Sequence, residues 1–253
     1  MIKIYPEAEI SLIREACQIA AECLDVLVKS VHPGMTTEDL DMIAHGFLSE
    51  RGVEAAFLGY RGYPKSICVS INEEVVHGIP SQKRKILNGD LVSIDIGTKL
   101  KGYFGDVATT LPVGNIGREK MRLLETGKKA LDAAVEKAAE NNTLYDISYA
   151  IQKIAEESGY SVVKEFVGHG IGVNLHEEPQ VPNFGIPGTG PVLQEGMIFA
   201  IEPMVNMGTF KVEVLEDNWT AVTADGKPSV HFEHTIAVRK NKGEVLTCPK
   251  KSP

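Results

Sequence analysis

Asp95 in LVSIDIGT and Asp106 in GYFGDVATT are carboxylates set in apolar, strand-like runs on either side of a short turn that contains Gly102. Counting inward from both flanks puts the hairpin centre between Leu100 and Lys101, so the two aspartates are expected to face each other on neighbouring strands. Like charges directly opposite in a sheet repel. Their neighbours are apolar or small (Leu91, Val92, Ile94, Ile96, Val107, Ala108), so water would screen the pair poorly. A cation between them is the simplest remedy, and paired carboxylates are what a dinuclear metal site needs. Taken alone, the hairpin leaves open that both aspartates only mark a solvated face, the usual place of charged side chains.

The elements that must position this pair can be read in order. After Pro6, apolar residues recur at Ile10, Ile13, Cys17, Ala20, Leu24, Leu27 and Val31, a helical stripe that His32-Pro33-Gly34 stops. Thr36 and Thr37, followed by Glu38 and Asp39, supply a capped start for a second helix. Its core face is Leu40, Ile43, Ala44 and Phe47, and Gly52 ends it. Residues 66–71 and 75–79 read as strands, and 119–140 and 143–159 as further helices.

A hidden repeat extends the carboxylate pair. Shifting the first half by 107 positions lays Thr36 on Thr143, Asp39 on Asp146, Leu40 on Ile147 and Gly52 on Gly159. The same shift lays NGDLVSID (88–95) on EGMIFAIE (195–202), and so Asp95 on Glu202. A period this long is not that of a solenoid. It predicts two similar halves, about 36–112 and 143–240, packed as one domain over 1–253 with a flexible tail at 241–253. Facing halves would bring Glu202 to the cluster and leave Asp106 needing a counterpart. The shift offers Glu213, but 208–227 reads as an irregular insertion. The next strand-like run, 230–238, carries Glu233 in HFEHTIAV, which is preferred for its apolar flanks, with Glu213 between Val212 and Val214 as rival.

Four buried carboxylates without partners would be very costly, so metal ions follow if this geometry holds. Nitrogen donors are at hand. His169 sits among glycines in GHGIG, where backbone can approach a site closely. His176 follows in a separate strand or loop, and His77 in VVHGIP is a weaker candidate. His32 and His45 read as surface or capping residues, and His231 and His234 as neighbours of Glu233. Oxygen donors with one or two imidazoles suit Mn, Fe(II), Co or Zn better than a thiolate-selecting ion. Two such ions about 3.5–4 Å apart clamp a nucleophile and polarise the group it attacks. The residues therefore point to hydrolysis and leave the bond unspecified.

Composition narrows the setting. Net charge is -8 with both signs interspersed, which argues against a nucleic-acid partner. Hydrophobic content of 43% allows a large core, but no apolar run approaches the ~20 residues of a membrane span. Cys17, Cys23, Cys68 and Cys248 show no CxxC spacing, and no secretory signal leads the chain, so a reduced, cytoplasmic setting is expected.

Six motifs, SICVSINEEVVHGIP, LVSIDIGT, GYFGDVATT, GHGIGVNLHEEPQVPN, EGMIFAIEPM and FEHTIAV, run in order through nearly the whole chain. Together they resemble the type I methionine aminopeptidases. That resemblance implies an α/β (α+β) pita-bread fold, with two pseudo-symmetric halves and a central antiparallel sheet covered by helices. It implies that Asp95, Asp106, His169, Glu202 and Glu233 ligate two divalent metal ions (Co, Mn, Fe(II) or Zn). Asp106 and Glu233 would bridge them, Asp95 completing one shell and His169 and Glu202 the other. A hydroxide between the ions would attack the carbonyl of an N-terminal methionine, Glu202 would handle its proton, and the penultimate residue would be small. His77 and His176 would hydrogen-bond the scissile peptide and its tetrahedral intermediate. Tyr60, Tyr63, Cys68 and Trp219 would line the methionine pocket. Leu175 stands where many relatives carry an aromatic residue and Phe57 where they often carry cysteine, so the pocket should differ in detail.

The implied partners are nascent polypeptides with an N-terminal Met and the ribosome, and a monomer is expected. A prolidase-like peptidase is the rival enzyme reading; such relatives carry a separate N-terminal domain for which this chain leaves no room. A type II methionine aminopeptidase would need a longer stretch between Glu202 and Glu233. A metal-free binding module would have no use for five ligand-type residues.

Overall fold

Each element starts and stops where local chemistry dictates. In the computed structural model, which describes residues 2–248, Pro6 precedes the helix α1 (Glu7–Ser30). Glu7 and Glu9 lie in its first turn and Lys29 in its last, as the helix dipole favours. Helix α2 (Thr37–Glu50) opens on a capping box: the Asp39 N–H donates to Thr36 Oγ1 (3.2 Å) and the Thr36 N–H to Asp39 Oδ2 (2.8 Å). Strands β1 (Glu54–Ala55), β2 (Cys68–Ile71), β3 (Glu74–Val76), β4 (Leu91–Leu100) and β5 (Tyr103–Pro112) follow. Then come α3 (Gly117–Lys137), α4 (Leu144–Glu157), β6 (Ser161–Val162), β7 (Gly168–Gly170) and β8 (Glu177–Val181). The chain continues through β9 (Ile198–Ile201), β10 (Met204–Asn206), β11 (Val212–Val214) and β12 (Ala221–Thr223), and ends on β13 (Ser229–His231), β14 (Glu233–Ala237) and β15 (Glu244–Val245).

Under the 107-residue shift, α2 and α4 coincide end to end. Thr143 heads α4 in the same capping box, with Asp146 as its partner. The isolated bridge Thr36↔Lys85 likewise corresponds to Thr143↔Val192.

Nine strands make one antiparallel sheet in the order β1-β4-β5-β14-β9-β7-β8, with β2 beside β4 and β15 beside β14. Alternation divides its two faces. Ile94, Ile96 and Val107 pack with Leu24, Leu27 and Leu40 of α1 and α2, and Phe199, Ile201 and Ile236 with Leu131, Ile147 and Ile151 of α3 and α4. The helices thus cover one face, and Asp95, lying between Ile94 and Ile96, is turned to the other. Helix α1 sits directly on the β4–β5 hairpin. Thr98 Oγ1 donates to the Ala16 carbonyl (3.0 Å), and a Cβ at Gly105 would lie 2.6 Å from the Cys17 nitrogen.

The hairpin turns one residue later than the count from its flanks predicts. Lys101 (φ 52°) and Gly102 (φ 83°) form a two-residue turn with both φ values positive, the form that strand twist favours. Asp95 therefore lies opposite Ala108, and Asp106 opposite Gly97. The two aspartates are diagonal neighbours on one face and not directly opposed.

The stretch 208–227, expected to be irregular, contains β11 and β12, which join β3 in a three-stranded sheet. Within the region expected as a tail, β15 pairs with β14 and Leu246 and Thr247 are buried, while 249–253 lie outside the described residues. Among the described residues no helix is long and apolar enough to cross a membrane.

The approach of α1 to the hairpin can be tested at Gly105. Replacing it with Ala should destabilise the protein by about 1–3 kcal/mol, since the clash is with helix backbone that cannot move aside alone. An unchanged urea midpoint for Gly105→Ala would refute that close contact.

Candidate active site

Two adjacent rows of the sheet carry most of the candidate residues. In one, Cys68, Asp95, Ala108 and Glu233 are successive cross-strand partners over β2, β4, β5 and β14. In the next, Gly97 pairs with Asp106, and Ala200 pairs with both Thr235 and His169. The rows are two residues apart, so they share a face. Gly97, Ala108 and Ala200 leave room among the larger groups. Thr235 ties the second row together: the Asp106 N–H donates to Thr235 Oγ1 (3.0 Å) and the Thr235 hydroxyl to the Asp106 carbonyl (2.8 Å). Glu202 follows β9 directly, with Oε1 3.6 Å from His169 Nε2. Donor atoms of Asp106, His169 and Glu233 lie within 4.8 Å of one another. Glu233 is buried, whereas its rival Glu213 is exposed on β11.

Asp95 Oδ1, Asp106 Oδ1 and Glu233 Oε1 are buried without a hydrogen-bond partner. Orphaned buried oxygens of this kind call for an unseen partner. Burial pushes Asp95 up to about 7 and Glu202 up to about 8. Burial, reinforced by the other carboxylates, holds Asp106 and Glu233 well above the ordinary range. The His169 Nδ1–H donates to the Gly170 carbonyl (2.9 Å), which leaves Nε2 with its lone pair, and burial lowers this imidazole to about 3. Four carboxylates and one neutral imidazole fit divalent ions of hard or borderline character. Cys68 is not a competing donor: burial first, then the Asp95 charge, hold its thiol well above the usual range, so it stays protonated.

These groups form one wall of a cavity of about 140 Å³. An apolar cavity of roughly 150 Å³ holds a benzene-sized molecule, so the space suits a single side chain. Tyr60, Tyr63, Cys68, His77, Leu175, His176 and Trp219 all line it, so each residue expected at the substrate end is brought to the same place. The Tyr60 hydroxyl lies 2.8 Å from His176 Nδ1, with the two rings stacked. Trp219 meets Tyr63 edge-on at 5.0 Å and His77 at 6.1 Å. It is held there by Asp217 Oδ1, which accepts from the Trp219 and Thr220 N–H groups (2.8 Å each) at the β11–β12 turn. Phe57 covers Gly97, where a Cβ would lie 2.5 Å from its ring. The loop carrying Leu175 and His176 is fixed by Glu177, which accepts from the Asn174 N–H (2.9 Å) and the Tyr5 hydroxyl (2.8 Å). His77 holds a left-handed φ of 61°, the kind of strain that collects at functional positions. Burial keeps His77 and His176 near 4, hence neutral at pH 7.

His32 and His45 are exposed, and His234 is turned to the opposite face, 2.8 Å from Thr247 Oγ1. Two contributors are absent from the sequence reading, and His231, expected only as a neighbour of Glu233, gains a further place. Arg61 lines the cavity, Thr235 joins the rows, and His231 places Nε2 3.6 Å from Glu202 Oε2. Strand alternation, with Thr235 two residues after Glu233, was the signal available for one of them.

The family model of metallopeptidase family M24 matches residues 11–240. A methionine aminopeptidase of Clostridium perfringens is 48% identical over 250 residues, covering 99% of this chain and 100% of that protein. The crystal structure of methionine aminopeptidase from Rickettsia prowazekii superposes with a TM-score of 0.96 at 41% identity, over 98% of this chain and 100% of that one. A prolidase from Pyrococcus horikoshii aligns with a TM-score of 0.79 at 25% identity, over 98% of this chain but only 64% of its own.

Raised carboxylates make stability depend on pH. Burial keeps His77, His169, His176 and His234 neutral in the folded protein, and above about pH 7 most of their charge is lost in the unfolded chain as well. Asp95 and Glu202 still hold protons in the folded protein up to about 7 and 8, whereas in the unfolded chain they are ionised. The unfolded state therefore binds fewer protons, and stability of the metal-free protein should fall as pH rises from about 7 to 8. Thermal midpoints of chelator-treated protein should show this fall, and saturating Mn(II) should remove it. A midpoint rising over that window without metal would refute the assignment.

Proposed function

This chain belongs to the M24 metallopeptidases and, within them, to the methionine aminopeptidases; from that premise we propose that it removes the initiator methionine from nascent proteins in the cytoplasm. One observation supports this most: buried, unpaired carboxylate oxygens stand beside a cavity sized for one side chain. In this reading Asp106 and Glu233 would be the carboxylates shared by two divalent ions, with Asp95 held to one side and His169 and Glu202 to the other. When bound, those ions polarise the scissile carbonyl and make water a nucleophile near neutral pH.

The chain's own groups do the rest. The methionine side chain enters between Tyr63, Trp219 and Leu175, where aromatic edges and the Cys68 thiol suit a polarisable thioether. The Tyr60 hydroxyl, by donating into His176 Nδ1, makes Nε2 the protonated nitrogen, available to the peptide oxygen. Neutral His77 serves as the second hydrogen-bonding imidazole. Glu202, on the cavity wall beside His169, is the carboxylate placed to accept the proton that the attacking water gives up and to pass it to the leaving amine. With the first side chain filling a cavity of about 140 Å³, a small penultimate residue is favoured, as the family resemblance implies. The enzyme works as a monomer on nascent polypeptides, with the ribosome as its site of encounter.

Metal-loaded enzyme should release methionine from Met-Ala-Ser and leave Xaa-Pro dipeptides intact. No release with Mn(II), Co(II) or Fe(II) would overturn the proposal, and preference for Xaa-Pro would favour a prolidase. Asp106→Asn should lower kcat/KM by at least about 100-fold and reduce the count of tightly held ions. Two tight ions with retained activity in that variant would exclude the bridging role.

A further inference from the structure

We propose that His231 is a positioning residue for Glu202, donating its Nε2–H to Oε2 and so deciding which carboxylate oxygen faces the metal site. This rests on the reading of the cluster as a divalent-metal centre and assigns a residue outside the ligand set. His231 is 2% exposed, and its Nε2 has no hydrogen-bond partner. That nitrogen lies 3.6 Å from Glu202 Oε2 and 4.0 Å from Glu233 Oε2. The other oxygen of Glu202, Oε1, lies 3.6 Å from His169 Nε2. Glu202 is thus held between two imidazoles, and their protonation patterns need not match.

The tautomer of His169 separates the two sides. Its Nδ1–H is committed to the Gly170 carbonyl, so Nε2 presents a lone pair to Oε1. Lone pair facing lone pair repels unless a cation lies between, so the ion belongs on the His169 side of Glu202. On the other side no cation is needed if Nε2 of His231 carries a proton. That single choice gives the orphaned nitrogen an acceptor and the carboxylate a fixed orientation. The remaining gap of about 0.6 Å beyond an ordinary N–H···O distance is within reach of a side-chain torsion.

The backbone beneath His231 is firmly held. Its N–H donates to Thr110 Oγ1 (2.9 Å), and the Thr110 hydroxyl donates to its carbonyl (2.8 Å). Ser93 Oγ lies 2.8 Å from the same Thr110 oxygen, so the Ser93 hydroxyl is the donor there. Register explains why an imidazole stands here. Under the 107-residue shift Gly97 maps onto Met204; Gly97 pairs with Asp106, and Met204 pairs with His231. The first half therefore places a ligand carboxylate where the second half places His231. Glu233 stands two residues on, in the row of Ala108. The second half supplies a carboxylate and, beside it, a donor to orient Glu202.

Calorimetric titration of chelator-stripped protein with Mn(II) tests this without measuring catalysis. His231→Leu should weaken Mn(II) binding about 10–100-fold, the usual effect of losing an outer partner of a ligand. His231→Gln, whose amide N–H can reach the same oxygen, should stay within about threefold of the wild type. Wild-type affinity in His231→Leu would overturn the proposal. So would a Gln variant as weak as Leu with fewer ions bound, because the imidazole would then itself be a ligand. Wild-type protein that binds no Mn(II) would overturn the metal-centre reading and this inference with it, so the two failures are distinct. If the Leu variant does not fold, ¹⁵N NMR of zinc-loaded wild type decides: a protonated His231 Nε2 is expected, and a bare one refutes the role.

Discussion

Repulsion among carboxylates on one face of the sheet is the constraint to which the rest of this molecule responds. Asp106 and Glu233 bring oxygens within 4.8 Å of each other, with Asp95 and Glu202 beside them. Two full charges at that separation repel by about 3 kcal/mol even at an effective dielectric near 20. Withdrawal from water adds to that cost. Without a counter-ion the cluster keeps protons well above the range where carboxylates normally lose them. A folded chain that accepts such a penalty needs strong support elsewhere, and a ligand that turns the penalty into affinity.

The support comes from strand alternation and from helices confined to one side. Ile94, Ile96 and Val107 are drawn into the core under α1 and α2, which obliges Asp95 and Asp106 to face the other way. Phe199, Ile201 and Ile236 do the same for the second half under α3 and α4. Large apolar burial on the helical side offsets the electrostatic cost on the open side. Pairing of β5 with β14 brings the halves together and makes Asp95, Ala108 and Glu233 one continuous row. Small residues (Gly97, Ala108, Ala200) between the carboxylates keep that face open.

Much of this was legible in the sequence because it depends on pattern. Caps at Thr36 and Thr143, the apolar stripes and the constant offset from Asp95 to Glu202 are local signals, and they led to the right face of the right strands. The hairpin register was misplaced by one residue, because inward counting cannot tell where a turn with two positive φ values begins. Lys101 accepts that conformation without being glycine. The segment around Trp219 looked irregular because β11 and β12 are each three residues long, too short to show alternation. Their order comes from pairing with β3, a partner far away in sequence. Thr235 and His231 both lie in the HFEHTIAV run, but the run does not reveal that they meet Asp106 and Glu202, since those contacts arise only across strands.

In the proposed reading the carboxylate face holds the cations that act on the substrate. An anomalous-difference map from crystals soaked in Mn(II) would locate them directly. Two peaks about 3.5–4 Å apart are expected, enclosed by Asp95, Asp106, His169, Glu202 and Glu233. Strong peaks elsewhere with none at this cluster would contradict the assignment of the sheet face as a metal centre.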